Sequence, residues 1–364
     1  DRRQRQMCIR DRAGLERGDW IMKVDTSYIS KKYETYLLQG TKAVKLTLGE
    51  WKEVEIEDEE DGNEGGDGED EGPTMEYRVV PIDDPVEMPA AQIVEDNPVH
   101  KYEIIESPVK KIRVGYLMYN SFTAGTKAEP EKYNNELRSV SQKFKEAGVQ
   151  AVILDLRYNE GGSMDCVQLL GTILTSADRL GEPMAYLEYN DKNTDKDATI
   201  LFGTDREINL NLHSLIAITS GTTMGAPEML IRSLFLEDTY PIATVGSSTK
   251  GQNVATEQFI NEEFLWSVNP VVCTVYNSQH DTYGAISPAT DLKISETTID
   301  KSTNYSEFLP FGTFDKDGKS ERLLKIAIGV LDGTYPPKDD ETPEESTTQT
   351  RFKVEKSVSS PASR

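Results

Sequence analysis

Residues 151–162 read AVILDLRYNEGG. The run from Ala151 to Leu156 is apolar except for Asp155, and a polar turn closed by two glycines follows it. An apolar run of this length, broken only by Asp155 near its end, is a buried strand. Outward from it, the chain alternates strand and helix. Upstream, IRVGYLMY at 112–119 is a second apolar strand, and the stretch from Glu136 to Ala147 places Leu137, Val140, Phe144 and Ala147 on one helical face before Gly148 stops it. Downstream, a helix from about Met164 buries Val167, Leu170 and Leu174. LIAIT (215–219) and IATVG (242–246) are strands, and PEMLIRSLF (227–235) is a helix with Pro227 in its first turn. The helix ERLLKIAIGVL (321–331) closes the series. This order predicts an α/β fold, with mainly parallel strands and flanking helices reached by right-handed crossovers, over residues 112–331.

The amino-terminal part reads differently. AGLERGDWIMKVDTSYIS and then YETYLLQGTKAVKLTLG form a turn, strand, short helix and strand. Gly14 and Gly18 mark the turn, Trp20, Ile21 and Val24 supply one strand, and Val44, Leu46 and Leu48 alternate with polar residues in the other. Residues 57–72 carry ten acidic residues, five glycines and no apolar or basic residue, so the span 53–111 is expected to be an acidic linker and connecting segment. The segment from 332 to 364, rich in Pro, Ser, Thr and charge, is expected to be disordered. Residues 1–12, DRRQRQMCIRDR, resemble translated sequencing-adapter sequence. They are set outside the fold, with the expectation that the natural amino terminus and any signal sequence lie upstream.

Composition narrows the chemistry. The 364 residues are 37% hydrophobic and 28% charged, enough for one large core and a smaller one. The net charge of −23 repels phosphate backbones, which excludes nucleic acid as the expected partner. No apolar run reaches the roughly 18–20 residues a membrane span needs. Cys8, Cys166 and Cys273 have no CxxC spacing, and His100, His213 and His280 form no ligand set. No metal, cofactor or disulfide framework is therefore expected. Cys166 lies on an apolar helical face with no histidine near it in sequence, which makes it core rather than nucleophile. Asp155 and Arg157 read as a structural ion pair at a strand end.

Five segments carry a further signal: VGYLMYNSF (114–122), LDLRYNEGG (154–162), TSGTTMGAPE (219–228), VGSSTKGQNV (245–254) and YGAISPATD (283–291). Their order and spacing resemble the tail-specific, or C-terminal processing, serine peptidases, especially envelope members from Bacteroidetes-type bacteria. The resemblance runs over about residues 13–331. It implies a ClpP/crotonase-like peptidase core, a location in the periplasm or cell envelope, possession of a lipoprotein anchor in some members, and polypeptide substrates or C-terminal tails as partners. It also casts GLERGDWI (14–21) as part of a PDZ-like domain over residues 13–52, a module that captures carboxyl termini by strand addition.

The family cuts peptide bonds with a serine activated by a neutral lysine. In its TASASE-like segment the serine stands three residues before a glutamate, which here is Glu228, so the nucleophile's position is Gly225. The family lysine follows a glycine in a TxGK segment, and that position here is Gln252. Glycine has no side-chain oxygen, and glutamine takes no proton at physiological pH. Lys250, with Thr223 or Thr222, is the displaced pair that an active peptidase would have to use. The turn Asn159–Gly162 can bring backbone N–H groups close to a substrate carbonyl. The resemblance makes Gly161, Gly162 and the amide of Ala226 the oxyanion hole. The implied function is a homologue that binds polypeptide and has lost cleavage.

Overall fold

The structure is a computed structural model that describes residues 14–15, 17–30, 41–56, 74–90, 95–236, 238–294, 309–314 and 320–335. The expectations for residues 1–12, 57–72 and 336–364, and the short helix between the first two strands, fall outside the described residues. The chain divides into two compact units, 1–96 with 307–310, and 97–306 with 311–364.

The first unit is a curled antiparallel sheet. Its strands are β1 (Trp20–Val24), β2 (Ser27–Tyr28), β3 (Val44–Ile56), β4 (Thr74–Pro81) and β5 (Val86–Met88). They lie in the order β2-β1-β3-β4, with β5 also paired to β3. Leu15, Val24 and Leu46 form the small core, against which Ile21, Val44, Leu48, Val86 and Met88 pack. The alternation of Val44, Leu46 and Leu48 is what turns one face of β3 inward. This β-rich unit is consistent with a PDZ-like module. It also corrects the expected boundaries. Part of the span 53–111 read as linker forms β4 and β5, and the unit extends to Asp96 rather than ending at residue 52. The acidic run between β3 and β4 dominates the composition of that span, and it masked the strands on either side.

The second unit is built on a five-stranded sheet in the order β12-β11-β8-β7-β6. Its members are β6 (Val99–Glu106), β7 (Arg113–Tyr119), β8 (Ala151–Asp155), β11 (Leu215–Thr219) and β12 (Ile242–Gly246). The strands β7, β8, β11 and β12 are parallel, and β6 is antiparallel to β7. Helix α1 (Lys132–Glu146) starts four residues before the apolar pattern did, because Tyr133 and Asn134 are also buried. It is followed by α2 (Met164–Leu174), α3 (Ala226–Leu234) and α4 (Arg322–Asp332). Val152, Leu154 and Leu156 join the main core with Leu137, Phe144, Val167, Leu170 and Leu230. Ile153 faces the opposite side by strand alternation, and α4 lies against β8, β11 and β12. The fold is therefore the expected helix-covered α/β core, with two differences. This unit begins at Asn97 rather than 112, adding β6, and Asp332 belongs to α4 rather than to the tail.

A second sheet escaped the sequence pattern. It is antiparallel, in the order β10-β9-β16-β13, from β9 (Pro183–Tyr189), β10 (Ala198–Leu201), β13 (Val254–Thr256) and β16 (Val271–Tyr276). Between β13 and β16 a separate hairpin is formed by β14 (Phe259–Asn261) and β15 (Trp266–Val268).

Candidate functional site

Three loops at the carboxyl ends of the parallel strands meet here, as ligand sites of open α/β sheets generally do. The first follows β8. Asn159 is fully buried; its Nδ2 donates to the Tyr119 carbonyl at 2.9 Å, and its Oδ1 accepts the Gly161 N–H at 3.0 Å. The Phe122 N–H donates to Gly161 O at 3.0 Å and the Ser163 N–H to Phe122 O at 2.8 Å. These bonds lay the glycine turn flat on the segment after β7. Gly162 has φ 139°, and a Cβ there would stand 2.3 Å from the Phe122 carbonyl oxygen, so only glycine fits.

The second loop joins β11 to α3. The Thr223 hydroxyl donates to Leu156 O at 2.9 Å and accepts the Ser220 N–H at 2.9 Å, while Thr222 donates to Arg157 O at 2.8 Å. The Met224 N–H reaches Asn159 O at 3.2 Å. The two loops are thus stapled together, and a Cβ on Gly161 would lie 3.8 Å from the Ala226 nitrogen. Gly225 follows at φ 70° and ψ −110°, the residue before α3. That is a sharp strand-to-helix turn in a region side chains avoid.

The third loop, 249–253, leads into β13. The buried Glu228 carboxylate binds it to the helix start. Glu228 accepts the Gly225 N–H at 2.9 Å, the Gln252 N–H at 2.8 Å, the Gly251 N–H and the Thr249 hydroxyl. Thr249 in turn exchanges bonds with Ile286, its N–H donating to the Ile286 carbonyl at 3.0 Å and its Oγ1 accepting the Ile286 N–H at 2.9 Å. Burial, followed by the Glu228 charge, pushes the Tyr283 phenol above its ordinary value.

Gln252 faces Gly225: a Cβ built on the glycine would meet Gln252 Oε1 at 3.7 Å and Cδ at 3.9 Å, both ordinary contacts. Of the three backbone groups expected to hold an oxyanion, the Gly161 N–H is engaged by Asn159. Those of Gly162 and Ala226 meet no protein acceptor among the described residues. Ala226 opens a helix of nine residues, whose first N–H groups and dipole favour a carbonyl oxygen or carboxylate. Of the alternative pair, both threonine hydroxyls donate to main-chain carbonyls, and the exposed Lys250 donates its backbone N–H to Thr223 O at 3.0 Å.

Asp155 and Arg157 form the expected ion pair, at 2.7 Å, with both side chains fully buried. The sequence pattern missed their third member. Glu321 binds Arg157 at 2.9 Å and also caps α4 through the Leu324 N–H at 2.9 Å. Tyr116 donates to Asp155 at 2.8 Å, its phenol kept neutral by burial and by that carboxylate. An acidic residue opening the last helix was the available signal. Cys166 is buried in the core, and burial pushes its thiol up to about 11. Among the described residues no group of three His, Cys, Asp or Glu side chains is placed to hold a metal, and no helix is long and apolar enough to cross a membrane.

Fold and site define a helix-covered sheet whose strand-end loops set a glycine turn beside a helix amino terminus. The chain belongs to peptidase family S41. Residues 113–269 match the family described as Peptidase family S41. A Bacteroides fragilis NCTC 9343 protein assigned to the S41 proteases is 35% identical, with a TM-score of 0.72 over 89% of this chain and 75% of that one. Slighter likenesses, too weak to carry an argument, include the photosystem II D1 C-terminal processing protease (17% identity, TM-score 0.43, 78% of this chain and 65% of that one). Another is a Parabacteroides merdae ATCC 43184 protein assigned as a peptidase (20%, 0.40, 64% and 66%). No curated protein sequence is similar to this chain.

Proposed function

We propose that this S41-family chain binds extended polypeptide or carboxyl-terminal tails in the cleft between Gly162, Ala226 and Gln252, and does not cleave them. The observation that carries the reading is that Gly225 and Gln252, the positions the family resemblance gives to the nucleophile and its base, face one another. Neither supplies the chemistry. Removing the nucleophile of a serine hydrolase costs about a millionfold in turnover and leaves only oxyanion and binding contributions. The cradle that would hold a substrate carbonyl or terminal carboxylate keeps its two unengaged N–H groups. A polypeptide-binding role is the one such a site retains. The PDZ-like unit supports tail capture, and the family resemblance supports a place in the periplasm or cell envelope.

The test is incubation of the full chain with unfolded casein and with a fluorophosphonate probe. Neither cleavage nor labelling above background is expected. The double change Gly225→Ser with Gln252→Lys should gain labelling and slow hydrolysis, because a Cβ at 225 already stands in ordinary contact with the side chain at 252. Each single change should stay nearly inactive, since a serine without a base forms no acyl-enzyme at a useful rate. Cleavage by the unmodified chain that disappears in Lys250→Ala would overturn the reading.

A further inference from the structure

The hairpin β14–β15 pairs with no other strand among the described residues, and a two-stranded ribbon alone is marginal in water. Its register, Phe259 opposite Val268 and Asn261 opposite Trp266, sets Phe259, Trp266 and Val268 on one face. Each of them is about half exposed, Trp266 at 48%, and at the tip Phe264 is 69% and Leu265 90% exposed. An aromatic side chain carries roughly 150–250 Å². Phe259, Trp266 and Val268, with Phe264 and Leu265 at the tip, therefore expose a patch comparable with the roughly 300–600 Å² that is the largest on an ordinary monomer. Leu265 also has φ 54°, a conformation that glycine or asparagine adopts with less strain. The most exposed leucine thus sits where solvent and backbone both disfavour it, and the isolated fold gains nothing from it.

Charge selects what covers this arm. From Glu257 to Pro270 there are three glutamates and no lysine or arginine, on a chain of net charge −23. A second copy would set acid against acid, and an anionic lipid surface would repel the arm. A strand alternating apolar and cationic side chains satisfies both the patch and its glutamates, and either outer edge of the ribbon can pair with it. The position fits as well, since only β13 separates the arm from Gln252.

We propose that the β14–β15 hairpin is a docking arm for polypeptide segments that are both apolar and basic, holding the chain whose end enters the cleft. This inference rests on the polypeptide-binding reading above and names the class of ligand. The experiment is fluorescence anisotropy of the full chain with a labelled peptide of alternating Leu and Lys, about ten residues long, against Leu/Glu and Ser/Lys counterparts. The Leu/Lys peptide should bind at least about tenfold more tightly than either. Phe264→Ser with Trp266→Ser should lose that advantage. Leu265→Asn, which suits the turn and keeps the fold, should weaken binding several-fold with an unchanged circular dichroism spectrum. Equal binding by all three peptides, or by variant and parent, would overturn the proposal. So would a serine variant that only converts a dimer to a monomer in sedimentation, or that only loses flotation with phosphatidylcholine–phosphatidylglycerol vesicles. Probe labelling by the Gly225→Ser, Gln252→Lys chain is read separately with the hairpin intact. Labelling without peptide selectivity removes the arm alone, and selectivity without labelling removes the site reading alone.

Discussion

A Cβ placed on Gly225 would stand 3.7 Å from Oε1 of Gln252, although the two residues come from different strand connections. Glu228 produces this approach by accepting the backbone N–H of both, at 2.9 and 2.8 Å. The site is held in shape by a residue that needs no contact with a ligand.

Glu228→Gln tests that positioning role. The substitution keeps the shape but turns an amide NH2 toward donors that the carboxylate now accepts, and it leaves buried N–H groups unsatisfied. A loss of about 2–4 kcal/mol in urea denaturation is expected. In the Gly225→Ser, Gln252→Lys background the same change should abolish probe labelling even where the protein remains folded.

Gly225 should resist any side chain on conformational grounds alone. At φ 70° a Cβ is strained although nothing crowds it, so Gly225→Ala is expected to cost about 1–2 kcal/mol. The thermal midpoint should fall by a few degrees. An alanine variant as stable as the parent would show that the turn is not held in this conformation.

Asp332 gives a pH-dependent contribution. Burial would raise its carboxyl, but the N–H groups of Lys110 and Val109, both at 3.0 Å, and the Ser107 hydroxyl outweigh burial and hold it below its ordinary value. A depressed carboxyl stabilises the fold at neutral pH and loses that effect as pH falls through its folded value. Asp332→Asn should cost about 1–2 kcal/mol at pH 7, and the difference should shrink as pH falls below the ordinary carboxyl value of about 4 and through the lower folded one. A difference independent of pH would place its origin elsewhere.

The Arg157 cluster predicts a larger penalty. Glu321→Gln preserves an acceptor for the Leu324 N–H but removes one of the two carboxylates that, among the described residues, face a fully buried guanidinium. Leaving such a charge undercompensated costs about 3 kcal/mol, measurable as a lower urea midpoint with unchanged slope.

Cys166 should be inert in the native state. With its thiol raised to about 11 by burial, roughly one molecule in a thousand carries the thiolate at pH 8. Peptide-resolved mass spectrometry after native iodoacetamide treatment should find it unmodified, and treatment in urea should modify it fully.

What the amino-acid sequence determined by itself was whatever is periodic or contiguous. The apolar runs at 151–156 and 215–219, the helical face of Leu137, Val140 and Phe144, and the flanks that align Gly225 and Gln252 all lie within short windows. Backbone period and local sterics write themselves into such windows. Tertiary structure alone decided the rest. The sheet of β9, β10, β13 and β16 joins strands that are short or part-exposed, and the pairing partners lie far apart in the chain. Glu321 meets Arg157 across 164 residues, and Glu228 gathers donors from a loop more than twenty residues on. A buried carboxylate is stable only when distant segments converge to satisfy it, and no local pattern records that convergence. The same holds for the arm at Phe264 and Leu265. Only the fold leaves its apolar residues in water, because among the described residues no other strand pairs with the hairpin.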